Sequence, residues 1–371
     1  MNSRLYKLLK LGQSIWLDNI SRSLIKSGEL KSLIEKGVRG VTSNPTIFEK
    51  AILGSNDYDE AIQKLMAKGL TSEEILEELM IQDIKDACDL FYDVYQETKG
   101  NDGFVSIEVN PLLAYDTKGT IDAVKRIWTK IDKPNLMVKI PATKEGLKAI
   151  EESIASGINV NVTLIFSIQR YIEVTEAYIN GLKRRLEEGK DVSNVNSVAS
   201  VFVSRLDTLV DNEIVKLINQ GRPELTKYLG KTAVANTRLL YQEFKKIFFS
   251  ERFEELKSKG AKIQRPLWAS TGTKNPMYSQ LLYVDELFAP YTVNTLPPKT
   301  LKIMLEESVI EERIEKDLED AKQLVEKLKS LGVNFEEIFE KLEKDGVKAF
   351  EDSYLNLLSS VKHKVKILQD A

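Results

Sequence analysis

Two residue types are almost missing from this 371-residue chain, which holds one cysteine, Cys88, and one histidine, His363. A lone cysteine excludes an internal disulfide framework and suits a reducing compartment, so a cytoplasmic protein is expected. Together the two residues cannot assemble the usual zinc ligand sets or a histidine-based catalytic triad. Acid–base chemistry must then fall to carboxylates, lysine or tyrosine. His363 itself, in "SSVKHKVKIL", reads as a solvated histidine near a helix end.

Other absences narrow the class further. No segment approaches the roughly 20 consecutive apolar residues of a membrane helix, so no membrane partner is expected. The start, "MNSRLYKLLKLGQSIWLDN", lacks a long apolar core and a small-residue cleavage site, and no signal peptide is read there. There is no polybasic run, and the net charge is −3 with 42% hydrophobic and 29% charged residues. That balance belongs to a soluble globular protein and argues against a nucleic-acid partner. No internal repeat or low-complexity linker divides the chain.

What is present is a recurring alternation of short β-rich runs and amphipathic helices. The runs are "SIWLD" (14–18), "GVTSNP" (40–45), "VSIEVN" (105–110), "LMVKIP" (136–141), "VNVTLIF" (160–166), "ASVFVSRLD" (199–207), "PLWAST" (266–271) and "YTVNTLP" (291–297). Between them "TIDAVKRIWTKI", "KEGLKAIEESIAS", "SIQRYIEVTEAYINGLKRRLEEG" and "TAVANTRLLYQEFKKIF" carry apolar residues at three- and four-residue spacing. A longer helical stretch, "TSEEILEELMIQDIKDACDLFYDVYQETKG", can be capped by Thr71 or Ser72. Eight β–α units predict an α/β fold of the (β/α)8 barrel (TIM barrel) type. The doubly wound open sheet is the alternative, but no G-x-G-x-x-G turn follows an early strand. The whole chain, 1–371, reads as one barrel domain, with strands between about 14 and 297 and a helical C-terminal extension over 300–371 that includes "ESVIEERIEKDLEDAKQLVEKLKSLG".

Period-two alternation assigns the faces. In "VNVTLIF", Val160, Val162, Leu164 and Phe166 face the helices, and Asn161, Thr163 and Ile165 face the lumen. Likewise Ser106, Glu108 and Asn110 oppose Ile107 and Val109, and Met137 and Lys139 oppose Val138 and Ile140. Asp18, Asn44, Glu108, Lys139 and Thr163 all come late in their strands, at the end where barrel enzymes build active sites. Each has a bland role open to it singly: an Asp can cap a loop, Asn44 can fix the turn before Pro45, and a Thr can fill a strand. Lys139 in "NLMVKIPAT" can form a buried ion pair with Glu108 or Asp18, which is weak evidence for stability. It can equally be an amine that forms a Schiff base with a carbonyl substrate.

The segments "SIWLDNISR", "GVTSNPTIFEKAI", "VSIEVNPLLAYDT", "NLMVKIPATKEGLKAIE", "INVNVTLIFS", "SVASVFVSRLD" and "LWASTGTKNP", in this order, resemble the transaldolase family. "GVKAFEDSYLNLL" resembles the C-terminal helix of its longer bacterial and plant-like members. The resemblance implies a class I, Schiff-base transferase of the pentose phosphate pathway that needs neither metal nor organic cofactor. Such an enzyme moves a dihydroxyacetone unit from sedoheptulose 7-phosphate or fructose 6-phosphate to glyceraldehyde 3-phosphate or erythrose 4-phosphate. Its partners are sugar phosphates, and a monomer and a homodimer both stay open.

Carried over residue by residue, the resemblance makes Lys139 the imine-forming nucleophile and Asp18 the general acid–base group. It gives Glu108 and Thr163 the water used in forming and hydrolysing the imine. Asn44, Ser106, Asn161 and Ser200 match positions that hold substrate hydroxyls. Arg205 and Lys274, with Ser270 close by, match phosphate-binding positions in the loops after the sixth and seventh strands. Better-known members carry arginine where Lys274 stands, and lysine lacks arginine's bidentate fork. The related fructose 6-phosphate aldolases tend to carry Gln at the Glu108 position and Tyr at the Phe202 position, so Glu108 and Phe202 favour transfer over simple cleavage. A non-catalytic sugar-phosphate-binding barrel is the other alternative, although Lys139 and Asp18 are both retained.

Overall fold

A computed structural model describes residues 4–370. Eight parallel strands close in chain order, each hydrogen-bonded to the next and the last to the first. They are β1 (Gln13–Asp18), β2 (Gly40–Thr42), β3 (Phe104–Glu108), β4 (Leu136–Pro141), β5 (Val160–Ile165), β6 (Ser197–Phe202), β7 (Arg265–Ala269) and β8 (Thr292–Leu296). Pairing of β8 with β1 leaves no open edge, which rules out the doubly wound sheet in favour of the (β/α)8 barrel. Among the described residues no helix is long and apolar enough to cross a membrane.

The crossover helices follow the apolar periodicity: Thr117–Ile131, Lys144–Ala155, Ile168–Glu187 and Thr232–Phe248. The long helix Ser72–Glu97 starts with a capping box on Thr71, whose hydroxyl accepts from Glu74 N while its own N donates to the Glu74 carboxylate at 2.8 Å. At the N-terminal end of the barrel Trp16 Nε1 donates to Asp102 Oδ1 at 2.8 Å, and Ser14 donates to the other oxygen. Gly40 is required there, because a Cβ would lie 2.7 Å from the Trp16 ring.

Three expectations need correction. β6 stops at Phe202, and Ser204–Asn219 is a helix, so Arg205 lies in a first helical turn rather than in a strand or loop. In β5, Leu164 adopts φ 58°, and the chain advances three residues from Val162 to Ile165 while β6 advances two from Ala199 to Val201. This bulge reverses the alternation beyond Thr163, so Ile165 shares the outer face with its partner Val201 instead of facing the lumen. Finally, the helical run expected over 307–332 is helical only at Leu318–Ser330 in its second half. Tertiary bonds take over the intervening backbone: Arg313 and Ile314 donate to Phe288 O, and the Ser308 hydroxyl donates to Asp285 at 2.7 Å.

The last element, the 36-residue helix Phe335–Asp370, crosses the C-terminal mouth of the barrel. Gly346 lets it approach, since a Cβ there would lie 2.9 Å from Leu164 Cδ2 and 3.6 Å from Arg205 Nη1. The β5 bulge and this glycine therefore seat the helix together. Farther along, Lys364 Nζ donates to the carbonyls of Ile52 and Ser55 and pairs with Asp59 at 2.6 Å.

Candidate active site

Under that helix, at the C-terminal ends of the strands, lies a cavity of about 710 Å³. Ten of the residues singled out in the sequence line it: Asp18, Asn44, Lys139, Asn161, Thr163, Ser200, Phe202, Arg205, Ser270 and Lys274. Glu108 and Ser106 lie behind the wall. Glu108 lines an adjoining cavity of about 460 Å³ instead, and Ser106 is fully buried beneath Asn161.

Strand register brings the polar groups to one level. Glu108 on β3 pairs with Lys139 on β4, and Lys139 pairs with Asn161 on β5. Lys139 is only 6% exposed, and its Nζ lies 2.7 Å from Glu108 Oε1 and donates to Ser43 O at 2.7 Å. Of the two ion-pair partners left open for Lys139, the structure thus selects Glu108.

Asp18 sits beside β2, where its register partner Thr42 donates a hydroxyl to Asp18 Oδ1 at 2.8 Å. The same hydroxyl lies 2.6 Å from that of Thr295 on β8. Burial pushes the Asp18 carboxyl above the usual carboxylate range, against the opposing pulls of Lys139 and Thr42. Burial also raises Glu108, with Lys139 opposing and Asp18 adding to the rise. Two carboxyls with raised proton affinity flank one amine, an arrangement suited to passing protons to and from a substrate.

The remaining wall residues divide into a hydroxyl–amide relay and a cationic pole. Ser200 Oγ donates to Asn161 Oδ1 at 2.6 Å, and Asn161 Nδ2 donates to Ser106 Oγ at 3.1 Å, so Ser106 orients Asn161 from below. Asn44 both lines the cavity and caps the helix Pro45–Leu53, accepting from Ile47 N at 2.9 Å. Its bland and functional roles coexist. The Thr163 hydroxyl makes no hydrogen bond among the described residues, which leaves it available on the cavity wall.

At the other pole, the Arg205 guanidinium lies 5.4 Å from the Phe202 ring centre. Neither Arg205 nor Lys274 is in an ion pair among the described residues, although Asp345 of the C-terminal helix attracts Arg205. Burial lowers Arg205, and partial burial followed by the like charge of Arg205 lowers Lys274, even though Lys274 as a whole residue is solvent-exposed. Two cations held close without a carboxylate partner form a site for an anionic group. Ser270 joins this pole through a 3.0 Å contact between its hydroxyl and that of Ser204.

Several wall residues carried no signal in the sequence. Thr42 could have been found as the strand neighbour of Asp18, but Phe350 and Ser353 come from the C-terminal helix and meet the barrel only in three dimensions. Phe350 packs edge-on against Phe202 at 6.2 Å, and Thr46 donates to Ser353 Oγ at 2.9 Å.

A closed parallel barrel that gathers a buried lysine, two carboxyls and a cationic pole at its C-terminal mouth has the layout of a barrel enzyme site. The chain matches the family described as Transaldolase/Fructose-6-phosphate aldolase over residues 15–361, and it belongs to that family. It is 47% identical to a transaldolase of Trichodesmium erythraeum, with 99% of each chain covered. It is 45% identical to a protein named Transaldolase 2 from a Nostoc species, covering 99% of this chain and 98% of that one. A transaldolase of Saccharopolyspora erythraea is 45% identical, with 98% of each chain covered.

Proposed function

We propose that this protein is a transaldolase that moves a dihydroxyacetone unit between sugar phosphates through a Schiff base on Lys139. The observation that carries the reading is the Lys139 amine, nearly buried, opening onto a cavity that also holds Asp18 and a pair of cations without a carboxylate partner. Family membership and the transaldolase names of full-length relatives support it.

In this reading Arg205 and Lys274 hold the phosphate of fructose 6-phosphate or sedoheptulose 7-phosphate, which points the sugar's C2 carbonyl toward Lys139. The amine adds to C2, and loss of one water gives the protonated imine. Asp18 takes the C4 hydroxyl proton as the C3–C4 bond breaks, and the electron pair of that bond moves into the imine to give an enamine. The departing aldose phosphate is replaced by another, and the enamine attacks it with the proton movements reversed. Water then returns to the imine carbon and frees Lys139. Glu108 exchanges protons with the amine and, with the Thr163 hydroxyl, handles that water. Asn161 and Ser200 hold substrate hydroxyls, and Ser106 supports them through Asn161.

Borohydride reduction in the presence of fructose 6-phosphate, followed by peptide mass spectrometry, tests the chemistry. A stable adduct on the Lys139 peptide is expected, and its absence would remove the mechanism. Transfer is separated from simple cleavage by an acceptor titration. Dihydroxyacetone released at the same rate with and without an aldose phosphate would mark a fructose 6-phosphate aldolase instead.

A further inference from the structure

Burial and then the like charge of Arg205 lower Lys274, and neither cation is in an ion pair among the described residues. Lys274 is also carried on an irregular stretch between β7 and the short helix Leu282–Asp285, a segment whose Met277 is 86% exposed. A loop of this kind should swing its ammonium away into solvent when no anion is bound. What opposes that is found one layer behind the cavity, on the helix that begins with Arg205.

Asp207 and Asp211 stand one helical turn apart on Ser204–Asn219 and so share a face. Tyr278, four residues after Lys274, donates its hydroxyl to Asp211 Oδ2 at 2.7 Å, and Tyr283 donates to Asp207 Oδ2 at 2.6 Å. The second oxygen of each carboxylate is occupied too: Gly230 N donates to Asp211 at 3.0 Å and Ala233 N to Asp207 at 2.6 Å. Gly230, at φ 69°, lies against the Tyr278 ring, where a Cβ would come within 2.7 Å. Both ends of the segment that follows Lys274 are therefore tied to the helix that carries Arg205.

We propose that Tyr278 and Asp211 are positioning residues that clamp the Lys274 loop to the Arg205 helix, presetting the distance between the two cations for a phosphate monoester. The inference rests on the transaldolase reading for the identity of the anion, but the clamp acts on any phosphate that the two cations share. Neither Tyr278 nor Asp211 lines the cavity, so the effect reaches substrate only through Lys274. Preorganisation of this type sets affinity for the anionic end of the substrate and leaves bond-breaking at Lys139 untouched.

The test uses the full chain and two single variants, Tyr278→Phe and Asp211→Asn, each checked for its unfolding midpoint. KM and kcat are measured with fructose 6-phosphate and with unphosphorylated fructose at an aldose phosphate concentration that saturates each variant, and inorganic phosphate is titrated as a competitive inhibitor. In Tyr278→Phe, KM for fructose 6-phosphate and the inhibition constant of inorganic phosphate should rise together by about tenfold, the effect of losing one hydrogen bond to a charged acceptor. The kcat for fructose 6-phosphate and kcat/KM for fructose should stay within about twofold, a split that general loosening of the fold would not produce. Asp211→Asn should move the same quantities in the same direction. Unchanged phosphate inhibition in both variants, or equal losses on the two sugars, overturns the clamp. A wild-type enzyme that binds inorganic phosphate but transfers nothing would overturn the transaldolase reading while the clamp stands. One that binds no phosphate would remove the Arg205–Lys274 site and the clamp together.

Discussion

Lys139 and Glu108 are register partners on adjacent strands, and their charged ends meet at 2.7 Å with both side chains almost buried. Neighbouring parallel strands set side chains on one face side by side, so this pair follows from backbone pairing as much as from attraction between charges. Removing one member leaves the other without its partner. Lys139→Ala should abolish turnover and borohydride trapping while leaving the barrel folded. Its stability deficit should grow with pH: without the cation, Glu108 binds its proton more tightly when folded than when unfolded, and ionising it then opposes folding. Thermal unfolding of the variant and wild type at several pH values reads this, and a deficit that shrank as pH rose would contradict it.

Asp18 depends on Thr42 in a way that can be separated from its own chemistry. Asp18→Asn should slow carbon–carbon cleavage by roughly 10²- to 10⁴-fold, the loss usual for a general acid–base group. Thr42→Val keeps the volume and deletes the hydroxyl that holds the Asp18 carboxylate at 2.8 Å. Since that hydrogen bond lowers Asp18 against burial, its loss should move the acidic limb of the kcat/KM profile to higher pH. A profile unchanged from wild type would take the limb away from Asp18.

Asp207 supplies a stability prediction away from the cavity. Burial raises its carboxyl from 3.8 to about 6, against hydrogen bonds from Tyr283 and Ala233. The folded protein then holds this proton after the unfolded chain has lost it, so stability falls as pH rises from about 4 to about 6 and the loss persists above that range. The shift corresponds to roughly 3 kcal/mol. In Asp207→Asn that contribution is missing, so the unfolding free energy of wild type minus variant should decline by about this amount between pH 4 and 7 and be flat above. Urea titrations over this range measure it.

Phe350 closes the cavity beside Phe202. Phe350→Ala should leave the barrel intact and open the pocket to solvent, raising KM for the ketose phosphate several-fold. It should also raise acceptor-independent release of dihydroxyacetone relative to transfer, because water then competes better for the covalent intermediate. Product analysis with and without aldose phosphate decides the point.

How much of this was legible in the sequence depended on how local the cause was. Alternation within strands and turns at Pro and Asn are local: they mark all eight strands and turn Lys139, Asn161 and Thr163 inward, and position at a strand end marks Asp18. The alternation failed at Leu164, where a bulge with a left-handed φ changes parity, because backbone strain in a leucine leaves no compositional trace. Arg205 reads as lying at the end of the β-rich run "ASVFVSRLD" or in the loop after it, whereas Ser204 opens a helix in which Asp207 accepts from Ala233 N of the next helix. Ser106 joins the wall residues in the sequence reading through parity and through the transaldolase resemblance. Parity gives the face of a strand but not the depth, and Ser106 lies one layer below the cavity. The contributions of Phe350 and Ser353 were invisible, since periodicity shows that a helix has an apolar stripe but not what the stripe meets.

The order of the chain adds a consequence for biosynthesis. Every strand-borne side chain around Lys139 has been synthesised once Leu296 is made, but the wall formed by Ala349, Phe350 and Ser353 is synthesised only afterwards. Domains fold as units during synthesis, so a barrel whose strands have all emerged can place its amine and carboxyls while the site is still roofless. Arrival of the helix Phe335–Asp370, rather than closure of the sheet, is then the step that roofs the reaction vessel.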